Sequence, residues 1–171
     1  GDVYKRQSKN NMVILVDVDE NMNSYSESVS SYHSSPSELN MIRTGFKQEI
    51  ASRKEGKRSC KERKIVFINN IKRFNQITGM NEDEVRMLFN EGPKYNVIVI
   101  ASGLYSDTIG AFDRESKMLT RTVNQSIIGH KISEQEFIKV KDQFGEPELK
   151  PQEMYIVDNQ EYKKLKVIED V

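Results

Sequence analysis

Residues 64–70 of the chain read KIVFINN, and the predicted fold is built outward from them. Four apolar β-forming residues in a row, followed by two amides, are typical of a strand buried on both faces of a parallel sheet. Similar runs lie upstream at 12–17 (MVILVD) and downstream at 96–103 (NVIVIASG). Alternation of strands and helical segments over residues 12–130 predicts an α/β fold with a mainly parallel sheet and helices on both faces.

The helical segments are recognised by their apolar spacing and their caps. The first follows Ser37 as N-cap and ends near Gly56, the second covers 71–77 and stops at Gly79, and the third runs from the N-cap Asn81 to Gly92-Pro93. Beyond the third strand the patterns predict broken helical pieces over 103–120, a short strand at 126–129 and a helix over 133–140. Residues 154–168 are typical of a β-hairpin, an antiparallel addition to the sheet.

Two segments are expected to lie outside the packed core. Residues 21–37 are rich in serine and poor in apolar residues, which predicts a flexible loop. Residues 1–11 contain no initiator methionine and are interpreted as a non-native scar or tail. The remaining residues, 12–171, are then expected to form a single domain that is truncated at its N-terminus.

Composition excludes several classes of function. Lys and Arg number 26 and so do Asp and Glu, so the net charge gives no attraction to nucleic acid or to an anionic membrane. Cys60 is the sole cysteine, so no disulfide within the chain is possible. No apolar run approaches the roughly 20 residues that span a bilayer, and the first such run is too short for a signal peptide.

Ligands of open α/β sheets bind at the carboxyl ends of the strands, so the residues there are the candidate site. Asp17 and Asp19 follow the first strand, where they suggest either a phosphoryl-transfer pair with Asp17 as nucleophile, a Mg²⁺ site, or a solvated strand end. If residues 64–68 form a Walker-B strand, Asn69 and Asn70 stand where an ATPase has its acids. An amide can accept a hydrogen bond but can neither hold a dication by charge nor take a proton. The alternative is that the two amides simply turn the chain and cap the next helix.

Other residues give weaker signals. Ser102 is either a polar sensor for a phosphate or a turn residue. The basic run over 53–64 is either a phosphate contact or a solvated helix end. His33 and His130 have no Cys, His or acidic residue at ligand spacing, and the chain has no glycine-rich phosphate loop. Apart from the open alternatives at Asp17 and Asp19, these patterns predict no metal ligand and no catalytic residue, and the candidate nucleotide-facing positions are Asn69, Asn70 and Ser102.

The order of these segments resembles FtsK/SpoIIIE-type P-loop ATPase domains. Residues 64–70, 84–92 and 96–102 look like the Walker-B strand, the following helix and the sensor strand, and 148–167 looks like the proline-led end of the family's domains. The likeness is to the last, degenerate ATPase domain of the membrane-anchored coupling ATPases of type VII secretion (type VIIb). It implies a RecA-like sheet, in which residues 12–17 form the second strand and Asp17 has no catalytic role.

The resemblance also implies a function. The domain would engage substrates or regulate the motor, with little or no hydrolysis of its own, at the cytoplasmic face of the cell membrane. ATP and Mg²⁺ are cofactors of the parent family, but neither is expected to bind tightly to this chain. The implied partners are secreted WXG100-type substrates and neighbouring ATPase domains of the same protein, which is expected to oligomerise, whereas nucleic acid is an unlikely partner. The alternatives are an active DNA or protein translocase whose Walker-A half lies outside this chain, and an unrelated phosphotransferase.

Overall fold

The computed structural model describes residues 11–103, 122–123, 125–129, 148–158 and 161–166. The chain divides into two compact units, Gly1–Gly103 and Leu104–Val171. The predicted helices over 103–120 and 133–140, most of the N-terminal tail and His130 lie outside the described residues. Each unit is considered by itself below.

The first unit contains a four-stranded, all-parallel sheet with the order β2-β1-β3-β4. Its strands are β1 (Asn11–Asp17), β2 (Ser31–His33), β3 (Arg63–Asn69) and β4 (Val97–Ala101). Its helices are α1 (Pro36–Lys54), α2 (Ile71–Thr78) and α3 (Glu82–Arg86). The three predicted parallel strands and the three predicted helices are therefore confirmed, with β1 beginning one residue earlier than expected.

The core of this unit forms because the apolar runs of the strands meet the apolar faces of the helices. Val16, Val66 and Ile68 are at most 1% exposed, and Phe46 and Phe74 on the helices are likewise buried. The prediction that 65–68 is buried on both faces is wrong in part, because Phe67 is 39% exposed. Its neighbour across the sheet, Ile100, is 47% exposed, so one face of the β3–β4 pair is only partly covered.

The serine-rich segment is more regular than its composition predicted. It contains a 3₁₀ turn at Asn23–Ser28 and the strand β2, which pairs in parallel with β1. The N-cap of the helix that follows lies two residues before the predicted cap, Ser37. Ser35 is the N-cap, Pro36 occupies the first helical position, and the side chain of Glu38 returns to the backbone of Ser35 in a capping box.

The third helical segment also departs from the prediction. α3 continues into a π-helical turn over Met87–Glu91 and then a 3₁₀ turn over Gly92–Tyr95, so Gly92 lies inside the helical segment rather than ending it. A Cβ atom at Gly92 would lie 2.7 Å from the carbonyl oxygen of Val97, so glycine is needed for the close approach to β4.

The second unit contains a three-stranded antiparallel sheet of β5 (Gln125–Ile128), β6 (Glu153–Asp158) and β7 (Glu161–Lys166), in that order. The predicted hairpin is confirmed as β6–β7, within the described residues. The strand near 126–129 pairs with β6 and not with the parallel sheet, which corrects the predicted alternation over 12–130. Tyr155 is 1% exposed and packs edge-on against Tyr162, with 5.4 Å between ring centroids.

Candidate functional site

Asp17, the last residue of β1, is fully buried at the carboxyl end of the sheet. Its Oδ2 atom accepts hydrogen bonds from the hydroxyl of Tyr32 at 2.7 Å and from the backbone N–H of Met22 at 2.8 Å. Its Oδ1 atom accepts from the Asn69 side-chain amide at 2.5 Å and from the N–H of Asn21 at 3.2 Å. Both oxygens are thus occupied by neutral donors, so the alternative of a solvated strand end is wrong for Asp17, whereas Glu20 is exposed.

These donors keep the buried carboxylate ionised. Burial acts to raise the pKa of Asp17, but the hydrogen bonds from Tyr32, Met22, Asn69 and Asn21 together outweigh it and hold the pKa below 3.8. A carboxylate enclosed in this way cannot approach a phosphoryl group as a nucleophile. The geometry therefore does not support the phosphotransferase hypothesis.

Asn69, the last residue of β3, lies opposite Asp17 in the parallel register. Its Oδ1 atom accepts a hydrogen bond from the N–H of Val18 at 2.5 Å. Its Nδ2 atom donates to Asp17 and also to the Oδ1 atom of Asn21, at 3.0 Å. Every polar atom of this carboxamide is used to hold the segment that follows β1.

Asn70 turns the chain from β3 into α2, with a left-handed φ of 52°. Its Oδ1 atom accepts from the N–H of Arg73 at 3.1 Å, which makes Asn70 the N-cap of α2. Its Nδ2 atom donates to both carboxylate oxygens of Asp19, at 3.2 and 3.0 Å, and Asp19 also forms an ion pair of 2.9 Å with Arg73. The interpretation of Asn70 as a turn and cap residue is confirmed.

Ser102 follows β4 and joins its end to that of β3. Its Oγ atom accepts from the N–H of Asn70 at 3.3 Å, its N–H donates to the carbonyl of Ile68, and its own carbonyl accepts from Ile71. The structure thus brings the three predicted positions together at one edge of the sheet, where Ser102 is exposed. It also adds three residues that the sequence reasoning missed, Asn21, Tyr32 and Arg73; only Arg73, three residues after Asn70, had a recognisable cap spacing.

Charged groups elsewhere in the described residues can be compared with this site. Among the described residues, no group of three or more His, Cys, Asp and Glu side chains is placed to hold a metal ion. The basic run at 53–64 is not a solvated helix end as a whole, because Arg53 is 3% exposed. Arg53 donates to the Glu49 carboxylate at 2.8 Å and to the carbonyls of Glu62 and Tyr95.

Three solved structures of secretion ATPases share this fold. EssC (ATPases 2 and 3) of Geobacillus thermodenitrificans matches 91% of this chain and 31% of its own, with a TM-score of 0.60 at 17% identity. The cytoplasmic domain of EssC has a TM-score of 0.55. Thermomonospora curvata EccC (ATPases 2 and 3), solved in complex with a signal sequence peptide, matches 95% of this chain and 31% of its own, with a TM-score of 0.63 at 10% identity. The fold is therefore that of a P-loop ATPase domain.

Sequence similarity is more specific. No protein-family model matches the chain. The type VII secretion system protein EssC of Staphylococcus aureus strain MRSA252 is 70% identical over 162 residues, which is 95% of this chain and 11% of the relative. EssC of strain NCTC 8325 / PS 47 is 33% identical over 102 residues. The chain belongs to the EssC family of type VII secretion proteins.

The chain spans about a tenth or less of the length of these curated relatives, 11% in one and 7% in the other. It is therefore similar to a limited segment of these relatives. In the part of the chain that the structure describes, no helix has both the length and the apolar character needed to cross a bilayer.

Proposed function

We propose that this domain engages substrates or regulates the motor of an EssC-type secretion protein, with little or no ATP hydrolysis of its own. The observation that carries the proposal is the pair of carboxamides at the end of β3, where a hydrolysing ATPase places acids. Asn69 and Asn70 cannot act as general bases, and their amide groups already bind protein partners.

The nearby acids do not replace the missing ones. Both oxygens of Asp17 accept hydrogen bonds, and Asp19 is paired with Arg73 and Asn70. Mg²⁺ needs about six oxygen ligands in nearly ideal octahedral geometry, and it would have to displace these donors first. We therefore expect ATP and Mg²⁺ to bind this domain only weakly.

The proposed partners are those that the family resemblance implies. Secreted WXG100-type proteins are the proposed substrates, and the neighbouring ATPase domains of the same chain are the proposed partners within an oligomer at the cytoplasmic face of the cell membrane. The solved complex of EccC with a signal sequence peptide supports a substrate-binding role for this class of domain. The balance of 26 basic and 26 acidic residues gives no support to DNA as the translocated polymer.

A chimaera tests the proposal in a complete motor. The matching segment of S. aureus EssC is replaced by this chain, and phosphate release and secretion of a WXG100-type substrate are both measured. Because Asn70 contributes no acid or base, Asn70→Ala is expected to change phosphate release less than about twofold. A fall of more than about tenfold would contradict the absence of a role for position 70 in hydrolysis and would favour the translocase alternative.

The substrate arm uses the 171-residue chain and a fluorescently labelled WXG100-type protein. Binding is expected without nucleotide, and added ATP and Mg²⁺ are expected to leave the dissociation constant within about threefold, or about 0.7 kcal/mol. Failure to bind, combined with loss of secretion in the chimaera, would leave a role in motor assembly and would contradict the substrate-engaging role.

A further inference from the structure

Residues 18–22, which follow β1, are held against the end of β3 by two side chains. The N–H groups of Asn21 and Met22 donate to Asp17, and the N–H of Val18 donates to Asn69. Asp17 and Asn69 in turn bond to each other. A five-residue segment thus depends on one buried carboxylate and one amide from strands that are far apart in sequence.

The charges of this pair restrict which residue types fit. The four groups that donate to Asp17 are all neutral, so none of them offsets a second negative charge. A carboxylate at position 69 would place two anions in the contact that now measures 2.5 Å, and like charges at that separation repel strongly in a buried site. It would also remove the donor that Asp17 needs.

Position 70 differs although it carries the same residue type. Asn70 faces Asp19, but Arg73 already forms an ion pair with that carboxylate. An acid at position 70 would keep the acceptor that caps α2 and would have the Arg73 guanidinium nearby. The same change is therefore expected to have a large effect at position 69 and little effect at position 70, which provides a matched control.

We propose that Asp17 and Asn69 form a latch that closes residues 18–22 over the end of β3 and excludes a divalent cation from that edge of the sheet. This inference rests on the proposed function, because it describes how the same site is kept inactive. If the site lacked only its Walker-B acids, an acid at position 69 would be expected to restore metal binding, and the latch predicts the opposite. Restoring an acid at position 69 opens the segment and does not rebuild a metal site.

Hydrogen–deuterium exchange on the 171-residue chain tests the latch, with Asn69→Asp, Asn70→Asp and the exchanged pair Asp17→Asn/Asn69→Asp. In Asn69→Asp, the amides of Val18, Asn21 and Met22 are expected to exchange at least about tenfold faster than in the wild type. Asn70→Asp is expected to change them less than about twofold. Adding 10 mM MgCl₂, a concentration chosen as roughly that of ATPase assays, is expected not to slow exchange in Asn69→Asp.

If Asn69→Asp does not fold, the double variant Asp17→Asn/Asn69→Asp still tests the latch. It restores one donor and one acceptor between positions 17 and 69 and keeps acceptors for the N–H groups of Val18 and Met22, so it is expected to fold and to exchange at those two amides within about threefold of the wild type. The N–H of Asn21 would face the amide introduced at position 17 and is expected to exchange faster. The latch is wrong if Asn69→Asp leaves the three amides unchanged, if Mg²⁺ protects them, or if the exchanged pair fares no better than the single variant. Phosphate release that depends on Asn70 in the chimaera would instead count against the proposed function, and that measurement is independent of amide exchange.

Discussion

The two ends of the parallel sheet each bury a carboxylate, and they stabilise it in different ways. At the carboxyl end, Asp17 is fully buried and accepts hydrogen bonds from neutral groups. At the amino end, Glu49 is 6% exposed and contacts three cations: Arg53 at 2.8 Å, Lys64 at 3.3 Å, and Arg58. One end uses oriented dipoles and the other uses opposite charge.

The comparison shows that an ionised buried acid does not require a positive partner. Burial acts to raise the pKa of Glu49, but the hydrogen bond from Arg53 and the charge of Lys64 lead the contributions that outweigh it, so its pKa is lowered from 4.5. Asp17 reaches the same ionised state with amides and a hydroxyl. The attraction between a cation and a carboxylate depends less on direction than a hydrogen bond from a neutral donor does. The positions of the side chains at the carboxyl end are therefore expected to be the more restricted.

The largest effect is expected from Arg53→Ala at the amino end. The change removes a buried guanidinium from Glu49 and leaves the carbonyls of Glu62 and Tyr95 without their donor. Breaking a buried ion pair costs about 3–5 kcal/mol, and we expect about 3 because Lys64 and Arg58 remain. Urea unfolding followed by circular dichroism measures the loss.

The neighbouring change Lys54→Ala is the control for that measurement. Lys54 pairs with Glu91 at the surface, so its loss is expected to cost less than about 1 kcal/mol. Equal effects of the two variants would show that the Arg53 cluster contributes no more than an exposed ion pair, and the contrast between the two ends of the sheet would not hold.

The second prediction concerns the carboxyl end. Asp17→Ala leaves four donors without their acceptor, and an unsatisfied buried group costs about 1–3 kcal/mol, so we expect a loss of about 2–3 kcal/mol because some of the donors regain water. Asp19→Ala on the same segment is the control, with an expected loss of about 1 kcal/mol or less, since its pair with Arg73 is partly exposed. If the two variants unfold at the same urea concentration, Asp17 does not organise the segment.

The smallest effect is expected from a third carboxylate that also relies on neutral donors but lies near the surface. Hydrogen bonds from the Ser35 side chain and from the N–H groups of Ser35 and Ser34 lower the pKa of Glu38 to about 2. A pKa below its unfolded value means that the stabilisation is present above about pH 4.5 and is lost as the pH falls toward 2.

Glu38→Gln keeps the capping geometry but removes this titration. Between about pH 4.5 and 2, unfolding of the wild type is expected to take up as much as about one proton more than unfolding of Glu38→Gln. The unfolding free energy, measured with urea at a series of pH values, is therefore expected to depend less steeply on pH in the variant. Glu27→Gln, in the 3₁₀ turn, serves as the control. Parallel pH curves for wild type and Glu38→Gln would contradict the prediction.

Local patterns predicted the parts of the fold that depend on local chemistry. Apolar runs identify β1, β3 and β4, and the cap of α2 was one of the two interpretations open for Asn70, because these features follow from neighbouring residues alone. β2 was missed because its pairing with β1, and not its serine-rich composition, stabilises it. The π-helical turn at Met87–Glu91 was missed because its 5 residues show no spacing of apolar residues that differs from that of an α-helix.

The sequence predicted where the candidate site lies but not which of its side chains form hydrogen bonds with one another. The strand ends placed Asn69, Asn70 and Ser102 at one edge, since parallel strands end together. Asn69 meets Asp17 across 52 positions of sequence, and Tyr32 meets it from a segment expected to be flexible. Contacts of this kind depend on register and side-chain direction, which no residue pattern within a short window records. The burial of Arg53 was missed for the same reason.

Gly92 sets how closely the turn before β4 can approach that strand. The atom that a side chain would meet is a backbone oxygen, which has no rotamer with which to move aside. The spacing between this corner and the start of β4 is therefore governed by a single missing methyl group. Any larger residue there would displace the peptide chain itself and would carry that displacement into the strand that positions Ser102.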